Sequence, residues 1–292
     1  MVEPPLWRPQ GKIYMPGSFV FRVSLVPALA LAAICAEPSV SITTNQPRPM
    51  LELARALVDH YGYLVTYEDA PADVNREVQT YRRADGVEQR RLIRKAMTFH
   101  LTHPADGGAP VRVPHESNTE VSQRMERSTM EALLNEYHAS GNFGRFTVLS
   151  EQDYTHIVPA GRSVNGRYEA FQPILSTIVP VSRQDGLCIE VFEGLLAELR
   201  QLRGVTIVGA ALPFQGLFQR QCLIRGHDLP ARTVLIQLLE QLGSDPRTGL
   251  PEDRFTWSLV HDPTSDSYFL STRLALPNAG VQRQMAVRPD QK

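Results

Sequence analysis

The sequence predicts an α+β fold made of two related units, each with the element order βαββαββ and each a small mixed sheet with two helices on one face. Two observations support this prediction. Apolar residues recur at helical spacing in four segments, and segments rich in β-branched and aromatic residues separate them. Two similar stretches, both beginning Arg-Phe-Thr, also follow helical patterns at residues 145–147 and 254–256. We therefore expect an internal duplication, with one unit at residues 38–165 and another at residues 171–276.

The first unit is predicted from apolar spacing and from turn residues. The segment "MLELARALVDHYG" places its apolar residues on one side of a helix, and Gly62 is suited to end it. Pro104 ends a strand, and the Gly and Pro content of the following residues indicates a loop. The elements expected in order are strand 39–44, helix 50–61, strand 63–69, polar loop or partial helix 70–91, strand 95–104, loop 105–118, helix 121–139 and hairpin 144–160.

The second unit repeats this order. Its closing hairpin alternates apolar Phe255, Trp257 and Leu259 with polar residues, which is typical of a sheet covered on one face. The expected elements are strand 172–182, helix 188–204, strand 205–212, strand 220–230, helix 231–243 and hairpin 254–272. Residues 277–292 are expected to form a disordered tail.

The N-terminus has the layout of a secretory signal peptide. Arg22 precedes the apolar residues 23–34, and two small residues follow. The apolar run is shorter than the ~20 residues that span a bilayer. We expect export to the periplasm or beyond, removal of residues 1–36 and no membrane span afterwards, with Met15 as an alternative start. An uncleaved anchor and lipidation of Cys35 are alternatives.

Composition and cysteine count limit the partners and the chemistry. The chain has 292 residues, 42% of them hydrophobic, and a formal net charge of -1. Because no block of five like charges occurs, we expect no nucleic-acid partner. Loss of the leader leaves Cys188 and Cys222. In an oxidising compartment such a pair can form a disulfide, although with only two cysteines buried free thiols are the expected state.

Part of the chain resembles the short N-terminal domain of secretins and TonB-dependent receptors. The segment "NQPRPMLELARALVDHYGYLVTYED" is similar to its first half, and "LPARTVLIQLLEQLG" with the hairpin after it is similar to its second half. The resemblance implies an exported module that contacts cell-envelope proteins, and it implies no active site. The long polar insertions in the first unit depart from the family. The matching residues are Leu53, Ala56, Leu57, Gly62, Tyr67, Leu238, Leu239, Phe255, Thr256 and Trp257.

No motif for catalysis, a metal or a cofactor is expected in this sequence. His100 and His103 would point to opposite faces of a strand, so they are unsuited to share a metal. Tyr61, Tyr63 and Tyr67 cluster around the end of the first helix. Core packing is the expected role of these tyrosines, and a ligand or partner surface is the alternative.

These observations favour a non-enzymatic interaction protein of the cell envelope. An exposed sheet edge would accept a partner strand, or a helix face would dock a partner. The alternative is a periplasmic small-ligand-binding or sensory protein that uses a cleft between the two units. A weaker third hypothesis is a hydrolase whose site is assembled from scattered His and Asp residues.

Overall fold

The fold is described by a computed structural model, in which the described residues belong to one compact unit. The predicted leader, the loop predicted at 105–118 and the predicted tail lie outside the described residues. No helix within the described residues is long and apolar enough to cross a membrane. The described residues are 39–93, 96–102, 125, 127–181, 185–244 and 253–275.

Five helices and fifteen strands occur within these ranges. The helices are α1 (Pro49–Tyr61), α2 (Arg127–Ala139), α3 (Cys188–Arg203), α4 (Phe214–Gln219) and α5 (Ala231–Gly243), with a 3-10 turn at Ile174–Ser176. The strands are β1 (Ser39–Thr44), β2 (Val65–Glu68), β3 (Val78–Arg82), β4 (Glu88–Leu92), β5 (Met97–Thr102), β6 (Arg145–Glu151), β7 (Tyr154–Val164), β8 (Arg167–Ala170), β9 (Ile178–Val179), β10 (Asp185–Leu187), β11 (Thr206–Ala211), β12 (Gln221–Leu223), β13 (Leu229–Pro230), β14 (Phe255–Asp262) and β15 (Ser267–Leu274).

One seven-stranded mixed sheet contains strands from both predicted units. Its order is β11-β15-β14-β2-β7-β6, and β8 pairs with the far end of β7. The expectation of a separate small sheet in each unit is therefore wrong. The two halves join where β14 runs parallel to β2, with Ser258 opposite Tyr67 and Leu259 opposite Glu68. All four residues of β2 are buried, which is typical of a central strand covered on both faces.

Six of the seven strands divide equally between the halves in the same relative order, and β8 is the seventh. In the first half the order is β2-β7-β6, and in the second half it is β11-β15-β14. In each half the strand that follows the first helix runs parallel to the second strand of the closing hairpin. The strands that precede the helices form separate two-stranded antiparallel ladders, β1 with β5 and β10 with β12.

Helices of the two halves lie on opposite faces of the common sheet. Successive residues of a strand point to opposite faces, so Tyr67 and Glu68 mark the two sides. The Tyr67 ring lies 5.5 Å from that of Phe146, which in turn contacts Tyr137 of α2. Glu68 forms an ion pair with Arg232 of α5, and α3 packs against α5. The helices α2 and α5 therefore cover different faces.

The polar stretch at residues 70–91 differs from the sequence-based expectation. The polar stretch expected as a loop or partial helix contains the hairpin β3–β4, in which Val78 lies opposite Leu92. Its side chains are exposed or half-buried, so the segment lacks the alternation of apolar and polar residues that identifies a strand. The guanidinium of Arg91 lies 4.6 Å from the centre of the Tyr81 ring and supports the pairing.

The first part of the second half is also more irregular than expected. The strand predicted at 172–182 is a 3-10 turn followed by the two-residue strand β9. Helix α4 was not predicted, and the strand expected at 220–230 is divided into β12 and β13. Gly226 at φ 114° separates these two strands, because this backbone conformation interrupts an extended segment. In contrast, α1 and α3 end at Gly62 and Gly204 in the left-handed conformation, as expected of helix-ending glycines.

Candidate functional site

The free edge of β11 is the first candidate contact surface. Within the described residues β11 pairs with β15 alone, which leaves one side of its backbone without a neighbouring strand. The strand has the sequence TIVGAA, with no charged residue and no proline. Val208 in its centre is 42% exposed. Edge strands usually carry charges, proline or a bulge to prevent pairing with other chains. The strand β11 has no charge and no proline, but its pairing with β15 shifts register between Gly209 and Ala211.

The sheet ends at β6 on the opposite side. This strand pairs with β7 alone within the described part of the chain, and it carries Arg145 and Glu151 at its two ends. Leu149 is 39% exposed between them. The backbone amide of Phe146 is already engaged, because it donates a hydrogen bond to Nε2 of His138 at 3.1 Å. The part of this edge that follows the bonded amide therefore begins at Thr147.

Helix α4 and strand β12, which follow β11 in the sequence, also expose apolar side chains. Phe214 and Phe218 of α4 are 49% and 59% exposed, and Leu223 of β12 is also exposed. Apolar side chains exposed together are typical of interaction surfaces. The sequence-based prediction missed this helix, although the stretch "PFQGLFQ" places two phenylalanines four residues apart on one helical face.

A disulfide holds the structure next to α4. The sulfur atoms of Cys188, at the start of α3, and Cys222, on β12, are bonded at 1.98 Å, and both residues are buried. Of the two states left open by the sequence, the structure contains the bridged one, so the expectation of free thiols is wrong. The pairing of β10 with β12 places Gly186 opposite Cys222, which brings the two cysteines together.

A polar network lies where β2 and β14 end. The Arg48 guanidinium donates to Asp69 Oδ2 at 2.5 Å and also to the carbonyl oxygen of His261. The Tyr67 hydroxyl donates to Asp69 Oδ1 at 2.7 Å, and the His261 amide donates to Asp69 Oδ2 at 3.3 Å. Burial raises the pKa of Tyr67 well above its ordinary value, so this hydroxyl remains a donor. The network fastens the start of α1 to both central strands.

A shallow, solvent-open cleft with a cavity volume of about 40 Å³ lies beside this network. It is lined by residues between Pro47 and Ser163, so it belongs to the first half and not to a junction between the halves. Glu77 lies in its wall, and burial, with help from the charges of Asp69 and Asp73, raises the pKa of this carboxyl to about 7. Other lining residues are Arg48, Tyr67, Tyr137 and Arg162.

The three tyrosines singled out from the sequence are separated by the fold. Tyr67 is buried in the core, although it also contributes to the wall of the cleft. Tyr61 and Tyr63 are half-buried, and their rings stack with centres 5.7 Å apart. The expected core role therefore holds for Tyr67, whereas the other two pack at the margin of the core.

The histidines nearest to hydroxyl or carboxyl groups have structural contacts. His261 lies with Nε2 2.9 Å from Asp266, and its Nδ1 accepts a hydrogen bond from the Ala72 amide. His156 is fully buried, with Nδ1 2.7 Å from the Thr66 hydroxyl. Burial, and next the charge of Arg232, lowers the pKa of His156 to about 3. No group of three potential metal ligands occurs within the described residues.

His103, one member of the closest histidine pair in the sequence, lies outside the described residues, and His100 is on β5. The polar groups of the described core thus stabilise the joined halves, and the least protected surface is the β11 edge with α4. Comparison of the chain with family models, with curated proteins and with solved structures finds no match.

Proposed function

We propose that this chain is an exported, non-enzymatic interaction module of the cell envelope, and that the edge of β11 receives an extended segment of a protein partner. The observation that carries the proposal is this edge itself. It is uncharged, has no neighbouring strand within the described residues, and places the exposed Val208 at its centre. Backbone hydrogen bonds to an added strand would supply affinity, and exposed apolar side chains nearby would supply selectivity.

Duplication of one ancestral module is part of this proposal, and strand order supports it. The positions of buried helix residues add further support. When Gly62 of α1 is matched to Gly204 of α3, four of the eight buried positions of α1 coincide with buried positions of α3. The coinciding pairs are Pro49 with Val191, Met50 with Phe192, Leu53 with Leu195 and Leu57 with Leu199.

The second helices of the two halves match in the same way. The four buried residues of α2 coincide with buried residues of α5 at a constant offset. The pairs are Met130 with Leu235, Leu133 with Leu238, Leu134 with Leu239 and Tyr137 with Leu242. Both copies would carry the features that resemble the short N-terminal domain of secretins and TonB-dependent receptors, which implies contacts with envelope proteins.

Export is supported by two independent features. The N-terminal residues have the layout of a signal peptide. In addition, Cys188 and Cys222 are bonded, and structural disulfides form and persist in oxidising compartments.

Cross-linking in the native envelope tests the proposal. The chain is expressed with its own leader, cross-linked in intact cells and purified, and co-purified proteins are identified by mass spectrometry. We expect a defined protein to be captured by the natural chain and lost with Val208→Lys, because a lysine on an edge strand opposes pairing. Val87→Lys is the matched control, since Val87 is also exposed but lies beside the β3–β4 turn. Capture that is unchanged by Val208→Lys would exclude β11 as the contact.

Small-ligand binding is a second candidate function, favoured by the cleft that contains Glu77. Its wall combines a carboxyl of raised pKa with aromatic and guanidinium groups, a mixture suited to a small zwitterion or amine. A thermal-shift screen of amino acids and amines, with the natural chain and Glu77→Gln side by side, tests this alternative. A stabilising compound whose effect is absent in the variant would support ligand binding there.

A further inference from the structure

The junction between the two halves has the features of an interface that can repeat. At this junction β14, the first strand of the second hairpin, runs parallel to β2, the strand that follows α1. The counterpart of β14 in the first half is β6, and the counterpart of β2 in the second half is β11. Within the described residues these two counterparts are the outer strands of the sheet. Each outer strand is therefore the equivalent of a strand that is paired inside the chain.

The correspondence holds residue by residue as far as Gly209, where the pairing of β11 with β15 shifts register, whereas β2 pairs with β7 without a shift. Val65 is the third residue after Gly62, and it pairs with Thr155, the second residue of β7. Ile207 is the third residue after Gly204, and it pairs with Tyr268, the second residue of β15. Counted from the hairpin turns, Thr147 corresponds to Ser258, and Gly209 corresponds to Tyr67. The internal pair Ser258–Tyr67 therefore has Thr147 and Gly209 as its counterparts. Each of these pairs with a strand on one side only within the described residues.

The symmetry operation that relates the first half to the second half can be applied again at the outer strands of the sheet. The three strands keep their order across the sheet, whereas their directions are reversed, because β14 and β2 are parallel and β15 and β11 oppose them. The helices α2 and α5 also exchange faces. A half-turn about an axis across the strands, combined with a shift along that axis, produces both changes. Such a relation is heterologous, so it continues from one copy to the next.

We infer that β11 of one chain pairs in parallel with β6 of a second copy, and that the interface repeats the internal junction between β2 and β14. This inference rests on the strand-accepting edge proposed above and names its occupant. It places Thr147 of the incoming strand opposite Gly209. The Phe146 amide, which donates to His138, lies one residue before this point.

Exposure of Val208 supports this occupant over an unrelated peptide. Val208 corresponds to Thr66 of β2, which is 2% exposed because the adjoining half covers it. Val208 is 42% exposed. A second copy would add not only a strand but also its helices on the face that Val208 occupies, as α5 covers the face of Glu68 inside the chain. An isolated extended peptide would leave this face open.

Sedimentation of the purified exported chain over a wide concentration range tests the inference. We expect the natural chain to form species larger than dimers as concentration rises, because each added copy presents a new edge. Val208→Lys blocks the β11 edge and Leu149→Lys blocks the β6 edge, so each variant alone should remain monomeric. Val87→Lys should assemble like the natural chain.

An equimolar mixture of the two blocked variants is the decisive sample. Val208→Lys retains an intact β6 edge and Leu149→Lys retains an intact β11 edge, so the mixture should form a one-to-one dimer and nothing larger. A natural chain that stays monomeric, or a mixture that does not dimerise, would overturn the inference. So would dimers formed by Leu149→Lys alone, since these would require two β11 edges to meet.

The outcome also separates this inference from the proposed function. If cross-linking in the envelope captures a different protein through the β11 edge while the purified chain stays monomeric, the interaction function stands and the second copy is excluded. If the chain assembles as described but Val208→Lys loses no other envelope protein, self-assembly stands without a separate partner.

Discussion

Arg232 of α5 and Glu68 of β2 form a buried ion pair that joins the two halves, with Nη2 3.0 Å from Oε2. The other oxygen of Glu68 accepts a hydrogen bond from the Leu175 amide, and Arg232 also donates to the Ser176 hydroxyl. Burial raises the pKa of Glu68, and the guanidinium of Arg232 opposes that rise. The ion pair and its hydrogen-bond partners therefore join three segments of the chain: β2, α5 and the 3-10 turn Ile174–Ser176.

Removal of one partner from this pair should destabilise the fold strongly. We expect Arg232→Met to lower the free energy of unfolding by about 3–5 kcal/mol, because the variant leaves Glu68 buried without its counter-charge. The double variant Glu68→Leu/Arg232→Met should lose less than the single one, since it removes both charges. Urea unfolding measures all three proteins. A single variant as stable as the natural chain would show that the pair contributes little.

Glu77 should make a contribution to stability that is lost as the pH rises. Its pKa is raised from the ordinary 4.5 to about 7, so the folded state holds the proton more tightly than the unfolded state. The stabilisation is complete below about pH 4.5, and it is lost as the pH rises through about 7. We expect Glu77→Gln to remove this part of the pH dependence.

Urea midpoints measured at several pH values in this window test that expectation. Glu88→Gln, on the exposed strand β4, is the matched control and should keep the slope of the natural chain. Equal slopes for the natural chain and Glu77→Gln would show that the folded state does not raise the pKa of this carboxyl.

Reduction of the disulfide should lower stability without a change of fold. Cys188 and Cys222 are separated by 34 residues in sequence. In the chain-entropy model, a disulfide that closes a loop of this size raises the free energy of unfolding by about 3–4 kcal/mol, because it lowers the entropy of the unfolded chain. We expect the urea midpoint to fall by a corresponding amount in reductant. The double variant Cys188→Ala/Cys222→Ala should be insensitive to reductant, and an unchanged midpoint for the natural chain would contradict the bridge.

Substitution by alanine should change stability in opposite directions at Gly194, inside α3, and at Gly204, which follows its last residue. Gly204 ends the helix at φ 63°, whereas Gly194 lies in its interior, and an added methyl group meets no atom within 4 Å at either position. Gly204→Ala should cost about 1 kcal/mol, because an L side chain is strained in the left-handed conformation. Gly194→Ala should stabilise by about 0.5–1 kcal/mol through higher helix propensity.

The measurement is the free energy of unfolding of each variant relative to the natural chain. Loss of stability at Gly194 or no loss at Gly204 would show that backbone conformation does not decide these positions.

Local patterns in the sequence were sufficient to predict four helices, both closing hairpins and the mixed α and β character of the fold. Apolar spacing marked α1, α2, α3 and α5, and the glycines at 62 and 204 marked two of their ends. Such features depend on residues close together in the chain, so the sequence alone determined them. The polar hairpin β3–β4 lacked this signal, since none of its strand residues is buried, and the short helix α4 carried only the spacing of Phe214 and Phe218.

Tertiary structure decided how the two halves combine. Nothing in the local pattern of β2 indicates that β14, some 190 residues later, pairs with it, or that Glu68 meets Arg232. The free edges of β11 and β6 are likewise defined only once every other strand has found its partner. Strand neighbours are set by long-range packing, in which buried backbone groups must be paired and both faces of the sheet covered.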